Sequence, residues 1–138
     1  MRAEWRAPAL AVARVDMSPH QRYPRRHRLT RGTELDVVRN EGKRVRTEHL
    51  EVRALASLLP YARVGFVVPK YKRNGVARNQ LKRRLREIVR TRVLPMLPPG
   101  DLVIRPHPTA YGASFEQLVV ELDGAAERTR RVLEQSPR

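Results

Sequence analysis

Apolar positions along this chain switch between two periods, and the switches mark its elements. Leu35 and Val38 stand at helical spacing within residues 30–41, with Thr30 placed to cap the start, Glu34 and Asp36 in the early turns, and Gly42 to end it. From Lys43 the period falls to two. Leu50, Val52 and Ala54 point one way and Glu51, Arg53 and Leu55 the other, which predicts strand with one buried face, as two strands or as one bent ribbon. Leu59 and Pro60 mark a turn. Residues 64–68 (VGFVV) form an apolar run of the kind found in central strands, stopped by Pro69. Helical spacing returns over residues 76–94, where Leu81, Leu85, Ile88 and Val89 fall within about a quarter turn. Pro95, Pro98, Pro99 and Gly100 end that helix, and residues 101–105 (DLVIR) read as a further strand. Ser114 then caps a final helix with Phe115, Leu118, Val119, Leu122, Ala126 and Thr129 along one face.

The order is therefore α-β-β-β-α-β-α, an α+β single domain with helices packed on a small four-stranded sheet. The domain is expected over residues 25–135. Residues 1–24 lack periodicity, contain Pro8, Pro19 and Pro24, and read as a disordered extension. Within it Met17 opens MSPHQRYPRRHRLT and is a candidate start of translation.

Charge sharpens this picture. The 138 residues carry 29 Lys and Arg against 14 Asp and Glu, a net charge of +15. Self-repulsion of that size disfavours the compact state, and a polyanionic partner relieves it, because each phosphate neutralised releases a counterion. The charge is concentrated. Residues 70–92 hold ten Lys and Arg side chains against the single acid Glu87, running from a loop into the helix whose other sector is apolar. Arg78, Asn79, Lys82, Arg83, Arg86 and Arg90 fan out beside that sector. A membrane-surface helix would carry Trp or Phe on its apolar face, whereas this one carries Leu, Ile and Val. RNA is the expected partner. With no Cys, thiolate chemistry, disulfides and Cys-based zinc sites are excluded. No apolar run approaches the roughly 20 residues of a membrane span, and Arg14 interrupts the apolar stretch nearest to a signal peptide, residues 8–15. A cytoplasmic location and no membrane partner are expected.

A catalytic constellation is hard to assemble from these residues. His20, His27, His49 and His107 are dispersed and read as surface or loop histidines, so no metal site is expected on the chain. Two-metal nuclease chemistry needs converging carboxylates, and the acids near the basic stretch are Glu87 and Asp101. Gly75 stands alone, without a phosphate-cradling glycine loop. The chain reads as a binder, with no catalytic side chain of its own.

Residues 64–87, VGFVVPKYKRNGVARNQLKRRLRE, resemble the protein subunit of bacterial ribonuclease P. That family runs a strand through a basic turn into a helix opening on an Arg-Asn-Arg type motif followed by Lys-Arg. Here the motif stands as Arg78-Asn79-Gln80 followed by Lys82, Arg83, Arg84 and Arg86. Residues 26–55 resemble the family's first helix and strands, and residues 101–122 its last strand and helix. The resemblance covers about residues 26–123. It implies the same element order, with a left-handed crossover around the basic helix against the usual right-handed rule. It also implies a ribonucleoprotein endoribonuclease that removes the 5′ leader from precursor tRNA. In that enzyme a large RNA subunit carries out hydrolysis with Mg²⁺, and one small basic protein per RNA binds that RNA and the leader. A different basic RNA-binding structural protein, such as a ribosomal protein of related fold, is the alternative. A metal-dependent nuclease acting alone lacks its acidic cluster.

The resemblance assigns residues to two surfaces. Lys70, Lys72, Arg73, Asn74, Arg78, Asn79, Lys82, Arg83 and Arg86 would face the RNA subunit, where guanidinium forks suit phosphate and Asn79 can orient a phosphate or a hydrated ion. Leu35, Arg39, Glu51 and Arg53 would line the leader cleft between the first helix and the open sheet face. The chain departs from the family at three points. Gln80 replaces the motif's second Arg, Arg73 stands where Gly is frequent, and none of the four cleft positions is aromatic. The last departure predicts weaker base preference and stronger salt dependence, with guanidinium planes of Arg39 and Arg53 stacking on bases instead.

Overall fold

The computed structural model describes residues 24–135 and has the expected order: α1 (Gly32–Glu41), β1 (Lys43–Arg46), β2 (Leu50–Leu55), β3 (Ala62–Phe66), α2 (Gly75–Ile88), β4 (Gly100–Pro106) and α3 (Phe115–Gln135). The expectations for residues 1–24, including the start at Met17 and His20, lie outside the described residues apart from Pro24. The ambiguous segment after α1 is two strands joined in an antiparallel hairpin. The sheet order is β1-β2-β4-β3, with β4 antiparallel to β2 and parallel to β3, so α2 lies in a crossover between parallel neighbours.

Register assigns every strand residue to a face. The rows Val45–Val52–Ile104–Phe66 and Ala54–Leu102–Val64 point toward α2 and α3. They form the main core with Leu81, Leu85, Ile88, Leu118 and Leu122. The opposite rows, Arg44–Arg53–Val103–Gly65 and Arg46–Glu51–Arg105, face the other way. On that side α1 covers only part of the sheet, through a smaller cluster of Leu29, Val38 and Val103 with Leu35, Leu55 and Val67 packed on it. Among the described residues, nothing covers the β1–β2 side of this face.

Several local expectations are corrected. The run at 64–68 does not make a central strand: β3 spans Ala62–Phe66 at the edge, and β4 lies inside the sheet. The run is apolar because both its faces are covered, and its outer edge is met by Leu29, whose N–H donates to the Val64 carbonyl at 3.1 Å. Gly65 permits that approach. A Cβ there would stand 2.3 Å from Leu29 O and 2.6 Å from a Leu35 methyl. Thr30 does not cap α1, which starts at Gly32 after Arg31 with no side-chain cap. Gly42 ends α1 with an ordinary negative φ, and its lack of a Cβ matters because one would lie 2.5 Å from Val38 O. Ser114 caps α3 as expected, in a reciprocal box where Gln117 N–H donates to Ser114 Oγ (3.0 Å) and Ser114 N–H to Gln117 Oε1 (2.8 Å). Phe115, read as part of the buried face of α3, is exposed, whereas Ala125 and Leu133 join that face.

The basic helix also departs from the 3.6-residue extrapolation. After Ile88 it widens into a π turn over Val89–Val93 and tightens into a 3-10 turn over Leu94–Met96. Arg90, at the start of this wide turn, is not part of the exposed cationic fan but is packed in the interior, 2% exposed. There its guanidinium meets Glu87 at 2.8 Å. Two histidines read as surface residues are buried as well, His27 and His49. His27 Nδ1 donates to the Ala62 carbonyl at 2.7 Å and its ring edge meets Tyr61.

Candidate nucleic-acid interface

The basic loop is a held structure. Arg73 N–H donates to Lys70 O at 2.8 Å across a turn whose central residues, Tyr71 (φ 49°) and Lys72 (φ 68°), are both left-handed. Non-glycine residues adopt that region at a cost, so the surroundings must fix it. Tyr71 Oη donates to Pro106 O (3.2 Å), its ring meets Tyr111 edge-on, and Tyr111 Oη donates to Pro69 O (2.6 Å). Burial pushes the Tyr111 phenol above its ordinary range despite the nearby Arg78 and Arg73, which keeps that donor protonated. The Arg73 guanidinium lies over the Tyr111 ring at 5.2 Å. Lys70, Lys72 and Arg73 stand exposed on this frame. Asn74 follows as the N-cap of α2, its side chain accepting from Ala77 N–H at 2.8 Å.

Along α2, Arg78, Lys82 and Arg86 repeat every four residues and form one column, with Asn79 and Arg83 exposed beside it. Arg78 also anchors the helix, since its Nε donates to Val68 O at 2.7 Å. Lys82 is half-buried between two cations. Burial lowers its pKa from the ordinary lysine range, and the charges of Arg86 and Arg78 lower it further. Three cations held this close raise one another's energy until an anion arrives, which is the electrostatics of a phosphate site. Lys82 and Arg86 also border a hollow of about 190 Å³ that reaches Arg28, Thr30, Leu35 and Phe66 at the β3 edge.

The second surface is a cleft of about 310 Å³ between α1 and the uncovered sheet face, lined by Arg39, Asn40, Glu51, Arg53, Val103 and Arg105. Arg53 organises it. Its Nε donates to Glu51 Oε2 at 2.8 Å and its Nη1 to the Arg39 carbonyl at 2.7 Å, tying β2 to the end of α1. Burial pushes the Glu51 carboxyl upward, but the hydrogen bond and charge of Arg53, with Arg44 and Arg46 nearby, more than offset this and hold it below the ordinary range. Of the four residues expected in this cleft, three line it. Leu35 borders the other hollow, packed over Gly65.

A sequence model of the family described as Ribonuclease P matches residues 23–130. The chain belongs to the ribonuclease P protein family. The ribonuclease P protein component of Streptomyces avermitilis is 36% identical over 115 residues, covering 76% of this chain and 93% of the relative. That of Salinispora tropica is 51% identical over 70 residues, 50% of this chain and 51% of the relative. Among solved structures, the ribonuclease P protein from Thermotoga maritima superposes with a TM-score of 0.67 at 26% identity, covering 73% of this chain and 96% of that one. The Staphylococcus aureus protein shares the fold with a TM-score of 0.66 at 19% identity, covering 75% and 95%.

Seen as a ribonuclease P protein, the chain has cleft residues that sequence reasoning missed. Arg105 stands directly opposite Glu51 across the β2–β4 pairing, and Arg44 and Arg46 extend the same face from β1. Alternation within KRVR and DLVIR could have put these arginines on one side of their strands. Only the register places them around Glu51. Gln80, the departure from the ribonuclease P motif, is exposed on α2. Among the described residues, no helix is long and apolar enough to cross a membrane.

Proposed function

We propose that this chain is the RNA-binding subunit of a ribonucleoprotein that removes the 5′ leader from precursor tRNA in the cytoplasm, one protein per RNA. The α2 column and the loop before it bind the catalytic RNA, and the cleft between α1 and the sheet takes the leader. The observation that carries this reading is the column Arg78–Lys82–Arg86, continuous with Lys70, Lys72 and Arg73 on a loop fixed by two tyrosines. The donor set on this face is cationic. Its one acid, Glu87, is engaged by Arg90. These residues do not suit Mg²⁺, and the Mg²⁺ of the reaction is held by the RNA.

In this reading Arg39, Arg53 and Arg105 hold the leader backbone, and their guanidinium planes stack on unpaired bases in place of aromatic rings. Glu51 positions Arg53 and repels phosphate from the cleft floor, which directs the strand toward the arginines. The test is cleavage of precursor tRNA by bacterial ribonuclease P RNA at low Mg²⁺, with and without the protein. Stimulated cleavage at the correct 5′ site is expected, with no cleavage by protein alone. Absence of stimulation, or cleavage without RNA, would overturn the assignment.

A further inference from the structure

The hairpin between β1 and β2 brings Glu48 and His49 against Glu121 of α3, more than seventy residues away in the chain. One ligand atom from each lies within 4.8 Å of the others. His49 Nε2 is 3.6 Å from Glu121 Oε2 and 3.9 Å from Glu48 Oε2. Donors sharing a tetrahedral zinc ion, at about 2.0–2.2 Å from it, stand about 3.3–3.6 Å apart. The cluster is therefore slightly open relative to a filled site.

The groups behind these donors are already arranged. His49 Nδ1 lies 2.8 Å from Thr109 Oγ1, so with the ring proton on Nδ1 the Nε2 lone pair faces the two carboxylates. Glu121 Oε1 accepts from Thr47 Oγ1 at 2.6 Å and from His49 N–H at 2.9 Å, which fixes the carboxylate with Oε2 turned to the ring. His49 itself is held by His107 N–H donating to its carbonyl at 2.8 Å. In that tautomer the Nε2 lone pair and the two carboxylates make a set of three acceptors that a cation between them can share. Oriented outer partners of this kind are what metal-binding histidines and carboxylates require.

We infer that Glu48, His49 and Glu121 form a divalent transition-metal site, best suited to Zn²⁺, that clips the β1–β2 hairpin to α3. Two ligands are fixed and nearly buried, and the third, Glu48, is exposed and can swing inward to close the site. Three protein ligands leave a fourth position for water. None of these residues lies in the basic loop or the cleft, so the site does not depend on the RNA-binding reading.

Chelator-treated full-length protein titrated with ZnCl₂ alone should bind one equivalent by calorimetry. Its melting temperature should rise by about 5–10 °C at saturating metal, and Co²⁺ in place of Zn²⁺ should give the visible absorption of a tetrahedral site. Glu48→Ala removes an exposed ligand, so it should melt like the parent without metal yet bind Zn²⁺ at least about tenfold more weakly. His49→Gln should abolish the Co²⁺ spectrum. Binding unchanged in Glu48→Ala, or no rise in melting temperature on adding Zn²⁺ to the parent, overturns the inference.

Discussion

Arg78 donates from Nε to the Val68 carbonyl at 2.7 Å, so the first cation of the α2 column is also the brace between that helix and the end of β3. Under the proposed function, binding and folding share this side chain. Among the described residues, Lys82 and Arg86 make no such bond to a backbone carbonyl, so their loss should act differently from that of Arg78.

Replacing Lys82 or Arg86 with Ala should leave stability within about 0.5 kcal/mol. Each should also flatten the salt dependence of RNA-subunit binding by up to about one unit of log–log slope. Arg78→Ala should show the same loss of slope together with a loss of about 1–2 kcal/mol in stability. Filter binding across a salt series, paired with urea denaturation, separates the two classes. Equal stability for all three variants would remove the bracing role of Arg78.

The cleft offers a similar separation. Arg53→Ala removes the bonds to Glu51 and Arg39, so it should lower both stability and the preference for precursor over mature tRNA. Arg105→Ala deletes an exposed cation opposite Glu51 and should lower the preference alone, by several-fold. Competition between precursor and mature tRNA for the reconstituted complex measures this. Equal weakening for both substrates would show that Arg105 does not meet the leader.

Gly65→Ala should destabilise the protein by about 1–3 kcal/mol, because the new methyl meets the Leu29 carbonyl and a Leu35 methyl well inside contact distance. The segment over the β3 edge must then lift. Hydrogen exchange at Leu29 N–H should speed up more than exchange in β4. Uniform acceleration across the sheet would argue for a global effect instead.

The Glu51 carboxyl is held below its ordinary range in the folded protein, so its ionised form stabilises the fold. That stabilisation is complete above the unfolded carboxylate pKa, about 4.3, and is lost as pH falls through the lower folded value. Glu51→Gln should be less stable than the parent near neutral pH and lose less stability on acidification below about pH 4.5. Parallel curves for the two proteins, measured by denaturant unfolding from pH 6 to 3, would exclude this contribution.

Element order and the cationic column were legible because both rest on local periodicity. Leu81, Leu85 and Ile88 bury where their spacing puts them, and Ser114 caps where its position suggests. What escaped depends on partners distant in sequence. The 64–68 run reads the same whether a strand is central or an edge covered by Leu29. Arg90 continues the helical period of the cations, yet it is buried where the helix end packs into the interior. The surroundings of Glu51 and His49 were hidden because β4 inserts beside β2 and because Glu121 returns on α3.

That insertion also governs how the molecule can be made. The middle of the sheet is supplied by residues 100–106, so the β1–β2 hairpin and β3 have no common neighbour until most of the chain has left the ribosome. A nascent chain that has emerged only through α2 carries its cationic column without the platform that orients it. The sheet is completed only with the arrival of β4, and under the proposed function the RNA would meet its docking surface only once the whole fold has closed behind it.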